Sequence, residues 1–113
     1  MAELGIVKSF HAFHDNDHHA HDFKVEIVLE GEIDPETEYV AGLDFHKVIE
    51  SVENIISEIS EKDLEPILKQ VGFKTAYTES VAGYFLKRLK NDYPVKCVKV
   101  WESEDRYAAI FNI

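Results

Sequence analysis

The spacing of apolar residues changes twice along this chain, and that change limits the fold more than any other feature of the sequence. From Leu4 to Phe13 the residues alternate, with Leu4, Ile6, Phe10 and Ala12 on one side and Val7 and Phe13 on the other. That pattern reads as a strand with much of both faces covered. The polar run from His14 to His18 breaks it. A second strand follows, with Phe23, Val25, Ile27 and Leu29 facing one way and Lys24, Glu26 and Glu30 the other. Gly31 to Glu38, which holds Asp34-Pro35, reads as a loop. From Asp44 the period lengthens, because Val48, Ile49, Val52, Ile55, Ile56 and Ile59 recur every three or four residues, the stripe of an amphipathic helix. Asp63 is placed to cap a short second helix with Pro66 in its tolerated first turn and Gly72 at its end. Thr78 is placed to cap a third that carries Val81, Ala82, Phe85, Leu86 and Leu89. Alternation then returns in Val95 to Trp101 and Tyr107 to Ile113, joined by the polar run from Ser103 to Arg106.

Strands at both ends with helices between them specify an α+β class, a four-stranded antiparallel sheet with helices on one face. The order is written ββααββ, the middle helix being short. With 113 residues and no linker, repeat or low-complexity tract, residues 1–113 are expected to form a single domain. So small a sheet leaves two edges open, and pairing them with other subunits would complete the core, so a homo-oligomer is expected.

Composition removes several function classes. There are 22 acidic against 12 basic residues, for a formal charge of -10. That balance argues against nucleic-acid or anionic-membrane partners, which need clustered Lys and Arg. No apolar run approaches the roughly 20 residues of a membrane span. The lone Cys97 can form neither an internal disulfide nor a thiolate zinc site. A cytoplasmic location is the expectation.

Histidine is the residue out of line. Five of the six, His11, His14, His18, His19 and His21, fall within eleven residues. His19 and His21 bracket Ala20 at the start of a strand, where residues two apart share a face about 7 Å apart. His14 ends the preceding strand and can supply a third imidazole. Three neutral imidazoles with an open fourth position suit a catalytic zinc, which can polarise a substrate hydroxyl or carbonyl. Asp15, Asp17 and Asp22 can orient the rings. His-x-His alone also fits surface histidines in an acidic loop, and imidazole sites accept nickel, copper or iron as well.

Phe10-His11-Ala12-Phe13-His14, followed by His19-Ala20-His21-Asp22-Phe23-Lys24-Val25, resembles the opening of the 6-pyruvoyltetrahydropterin synthase and 6-carboxytetrahydropterin synthase family. Members carry a Phe-x-Ala-x-His strand and a His-Gly-His-Asn-Tyr strand. Gly42-Leu43-Asp44-Phe45 resembles the family's Met-Asp-Phe helix start, and Thr78-Glu79-Ser80-Val81-Ala82 its Thr-x-Glu-Asn-x-Ala. Val98-Lys99-Val100-Trp101-Glu102-Ser103 resembles its Val-x-Val-x-Glu-Thr. These motifs occur in order from about Ile6 to Ile113. The resemblance implies the tunnelling fold, in which subunits join their sheets into a barrel, often a hexamer of two trimers with active sites between subunits. It implies His14, His19 and His21 as Zn2+ ligands and Glu102 as the anchor of a pterin substrate. A pterin edge offers two adjacent N–H donors that a carboxylate accepts in parallel. Glu79 either contacts substrate or only favours a helix N-terminus.

The sequence also departs from that pattern. Where many members place a general-base cysteine, four residues before the paired histidines, this chain has Asp15, and the family's Asp-His pair falls near Ser60-Glu61. Metal and pterin positions persist while the proton-moving groups differ. The expected reaction is therefore retro-aldol cleavage of a 7,8-dihydroneopterin-type side chain to 6-hydroxymethyl-7,8-dihydropterin, with Asp15 or Asp17 as base. Members with an acid in place of the cysteine are associated with that product. The alternatives are the synthase reactions on dihydroneopterin triphosphate, or a non-catalytic pterin- or metal-binding module. Near the site only Lys24, with Lys8 and Lys74 from elsewhere, can meet phosphate, which favours an unphosphorylated substrate.

Overall fold

The structure is a computed structural model that describes residues 1–14 and 19–113, the side chain of His19 excepted. Its elements are β1 (Ala2–His14), β2 (His19–Gly31), α1 (Phe45–Ile59), α2 (Leu64–Gln70), α3 (Thr78–Leu89), β3 (Val95–Ser103) and β4 (Arg106–Phe111). The strands form one antiparallel sheet in the order β1-β2-β3-β4. The α+β reading and the helical and strand segments agree with the sequence, and the short middle helix makes three helices in all.

The alternation of β1 and β2 buries Ile6, Phe10, Ala12, Phe23, Val25, Ile27 and Leu29 on one face. Opposite them lie Val48, Val52, Ile55 and Ile59, the stripe of α1, with Leu64 and Leu68 of α2 and Val81, Ala82, Phe85 and Leu89 of α3. Covering of both faces of β1 does not hold within one chain, since Val7 is 52% exposed. The helices pack on one face only, so the other keeps whatever cover neighbouring side chains or subunits give it. Tyr107 and Phe111 are likewise more than half exposed.

Local chemistry sets the helix boundaries. Asp44 accepts from the His46 N–H at 3.0 Å and starts α1, and Asp63 accepts from Glu65 N–H at 3.1 Å and starts α2. At the end of α2, Gly72 takes φ +99° while the Phe73 and Gly72 N–H groups donate to the Leu68 and Lys69 carbonyls. That closure needs a left-handed residue, hence glycine. Thr78 is not a cap. Tyr77 occupies the cap position of α3 without a side-chain bond, and Thr78 is already helical. The nearby hydroxyls of Thr75 and Ser80 instead bond each other at 2.6 Å.

The turn between α1 and α2 covers one end of the β1 edge. Glu61 N–H donates to His11 carbonyl and Phe13 N–H to Lys62 carbonyl, so the last residues of β1 are fixed at that end of the sheet. Among the described residues no helix is long and apolar enough to cross a membrane.

Candidate active site

Three strand ends meet on the helix-covered side of the sheet. His14 closes β1, His21 lies near the start of β2, and Glu102 lies near the end of β3. Register brings them together: β1 and β2 pair Ala12 with His21 and His14 with His19, while Lys24 pairs with Trp101, the residue before Glu102. One ligand atom from each of His14, His21 and Glu102 lies within 4.8 Å of the other two. The His14 and His21 rings stand edge to face with centroids 4.6 Å apart, and Phe23 contacts both rings at 5.5 and 5.7 Å.

His14 is 6% exposed, the one polar or charged residue in the buried set among the described residues. Its Nδ1 lies 2.8 Å from the Ala76 carbonyl oxygen. A carbonyl only accepts, so Nδ1 carries a proton, and Nε2 lies on the other side of the ring, 3.5 Å from a Glu102 carboxylate oxygen. An imidazole held by one nitrogen on a carbonyl and presenting the other to a carboxylate and a second imidazole is the form a metal ligand takes. The residues present therefore fit a divalent ion of borderline character such as zinc.

The remaining sequence-predicted residues divide clearly. Asp15, Asp17 and His18 lie outside the described residues, as does the side chain of His19, whose backbone pairs with His14. Glu79 lines a cavity of about 260 Å3 with Thr78, Glu102, Arg106 and Tyr107. Lys24 lines a second cavity of about 520 Å3 with His21, Trp101 and Glu102. Glu102 thus stands between two cavities, one running toward the start of α3 and one toward β2. His46 bonds Asp44 at the start of α1, apart from this cluster.

Two features carried little signal in the sequence. The Ala76 carbonyl belongs to the α2–α3 loop, and no residue type announces a backbone acceptor. His11 Nδ1 lies 3.1 Å from Glu61 Oε2, an imidazole–carboxylate pair at the region where the family's Asp-His pair falls. Only the joint presence of a histidine at 11 and an acid at 61 could have pointed to it.

The model of 6-pyruvoyl tetrahydropterin synthase matches residues 7–112. The chain belongs to the 6-pyruvoyl tetrahydropterin synthase family. It is 34% identical over 91 residues to the 6-pyruvoyl tetrahydrobiopterin synthase of Homo sapiens, a match covering 77% of this chain and 61% of that protein. It is 29% identical over 91 residues to the dihydroneopterin monophosphate aldolase of Pyrococcus furiosus, covering 77% of this chain and 72% of the relative. The match thus spans about three-fifths of the human protein's length. The solved 6-pyruvoyl tetrahydropterin synthase of Caenorhabditis elegans superposes with a TM-score of 0.87 at 18% identity, covering 99% of this chain and 96% of that one. That agreement establishes the fold of this family, the tunnelling fold, for this chain.

Proposed function

We propose that this family member is a zinc-dependent pterin lyase, with residues 1–113 acting as one catalytic unit. Its substrate is of the 7,8-dihydroneopterin type and its product 6-hydroxymethyl-7,8-dihydropterin. The observation that carries this reading is the His14–His21–Glu102 cluster at the junction of two cavities. His14, His19 and His21 would hold the ion, which when bound supplies Lewis acidity toward the side-chain hydroxyls.

The protein's own groups then have distinct tasks. Glu102 accepts the paired N–H donors of the pterin edge, from the cavity that Thr78 and Glu79 also line. The ring so held directs its side chain toward His14 and His21. Asp15, or Asp17 beside it, removes the proton of the 2′ hydroxyl, and the bond between C1′ and C2′ breaks. C2′ leaves as a two-carbon aldehyde, the electron pair passes into the dihydropterin ring, and a proton returned to C1′ gives the hydroxymethyl product. An acid at position 15 in place of a thiol is the sequence feature that supports cleavage over the synthase reaction. The aldolase name of the archaeal relative agrees with it.

The synthase reaction on dihydroneopterin triphosphate is the second reading, supported by the name of the human relative. The open edges of β1 and β4 and the exposed Val7, Tyr107 and Phe111 support subunit association. Zinc-loaded protein incubated with dihydroneopterin and with its triphosphate, with products identified by mass, separates the readings. Release of 6-hydroxymethyl-7,8-dihydropterin supports the lyase. Triphosphate elimination supports the synthase, and pterin binding without turnover of either overturns both.

A further inference from the structure

The loop 71–77 joins α2 to α3 and carries the Ala76 carbonyl that meets His14 Nδ1 at 2.8 Å. A backbone oxygen orients a ring only as well as its own loop is held. Here the loop is held against α3 at Ser80 and at Gly83, three residues on and so on the same side of the helix. A side chain at Gly83 would meet the Phe73 ring at 2.9 Å, so the bare backbone there lets that ring lie against the helix. Nearer the acceptor, the hydroxyls of Thr75 and Ser80, both half-buried, bond each other at 2.6 Å.

Phe73 thus holds the start of the loop, and Thr75 holds the part next to Ala76. Ser80 lies in the first turn of α3, directly after Thr78 and Glu79, which line the cavity shared with Glu102. The hydroxyl pair therefore ties the acceptor of the His14 proton to the helix that walls this cavity. His14 is 6% and Ala76 4% exposed. A shift of the carbonyl would leave a buried N–H without a partner and the ring free to turn.

We propose that Ser80 is a positioning residue for the metal site. Its bond to Thr75 clasps the loop so that the Ala76 carbonyl holds His14 with Nε2 toward His21 and Glu102. The proposal rests on the reading of His14 as a metal ligand and adds a residue that acts through Ala76 and His14. A ligand ring oriented in advance binds an ion more tightly than one free to turn. The clasp can raise metal affinity by no more than the bond contributes to the order of the loop, about tenfold for a hydroxyl pair.

The test measures zinc affinity by chelator competition and, by NMR of the metal-free protein, the exchange of the His14 Nδ1 proton with water. Ser80→Ala is expected to lower zinc affinity about three- to tenfold and to speed that exchange by a similar factor. Thr75→Val, which keeps the shape and removes the other hydroxyl, is expected to do the same, so a second variant serves should the first fail to fold. The double variant loses no more than either single one, because both substitutions remove one bond. Ser80→Thr, which keeps a hydroxyl at that place, retains the wild-type affinity. Zinc affinity unchanged in both single variants, or lowered without any change in proton exchange, overturns the proposal. So do losses that add in the double variant. Wild-type protein that binds no zinc overturns both the proposal and the metal reading. Clasp-dependent zinc affinity in a protein that cleaves no pterin supports the proposal while overturning the lyase reading.

Discussion

The buried imidazole of His14 is held between two oxygens, with Nδ1 2.8 Å from the Ala76 carbonyl and Nε2 3.5 Å from the Glu102 carboxylate. The first oxygen accepts the proton of Nδ1, and the second places Glu102 at the Nε2 side of the ring, where His21 also stands.

From this geometry, His14→Ala is expected to abolish stoichiometric zinc, as is His19→Ala. Glu102→Gln is expected to keep zinc while weakening pterin binding by about tenfold or more, because a carboxylate that accepts two donors becomes an amide that accepts at only one oxygen. Metal analysis after dialysis, paired with pterin titration, checks both. Loss of zinc in Glu102→Gln would make Glu102 a metal ligand and remove it as the pterin anchor.

Asp15→Asn is expected to leave zinc and pterin binding in place and to reduce cleavage by about a hundredfold or more, the usual contribution of a positioned base. Product formation followed by mass in single turnover checks this. Turnover unchanged in Asp15→Asn but lost in Asp17→Asn assigns the base to Asp17.

The histidines at the strand ends were legible because period-two alternation fixes which residues share a face, and the antiparallel register of β1 and β2 brings 14, 19 and 21 to one end. Helix starts at Asp44 and Asp63 were legible for a similar reason, since a short acidic side chain next to an apolar stripe has one common use. The start of α3 was not, because Thr78 resembles a cap while the chain uses Tyr77 without one. The Ala76 acceptor is a backbone group brought in by a loop, and the Lys24–Trp101 contact joins two strands distant in sequence. Neither has a local pattern to read.

Phe23 ties the core to the site. It is fully buried, stacks on Phe10 with centroids 5.2 Å apart, and meets the rings of His14 and His21. Phe23→Ala is expected to destabilise the protein by about 3–5 kcal/mol, the range for deleting a buried aromatic ring. The milder Phe23→Leu is expected to keep the fold and lower zinc affinity by about tenfold, as weakened support for ligand orientation does. Denaturant titration and competition with a zinc chelator measure the two effects. Unaltered zinc affinity in a destabilised Phe23→Leu would show that this ring packs the core without orienting the ligands.

The pair between α1 and α3 gives a pH dependence with a defined sign. Arg88 Nη1 donates to Glu58 Oε2 at 2.6 Å and to the Tyr84 hydroxyl at 2.7 Å. The Arg88 hydrogen bond holds the Glu58 carboxyl below its ordinary value of 4.5. A carboxyl whose folded value is depressed contributes stability above its unfolded value and loses it as the pH falls through the folded one. Glu58 is 52% exposed, so solvent screening limits the contribution to under about 1 kcal/mol. Urea unfolding of wild type and Glu58→Gln is therefore expected to show a gap at pH 6 that shrinks as the pH falls below the ordinary carboxyl value and that narrows in 1 M salt. A gap that does not change as the pH falls would assign the effect of the substitution to packing against Arg88 rather than to charge.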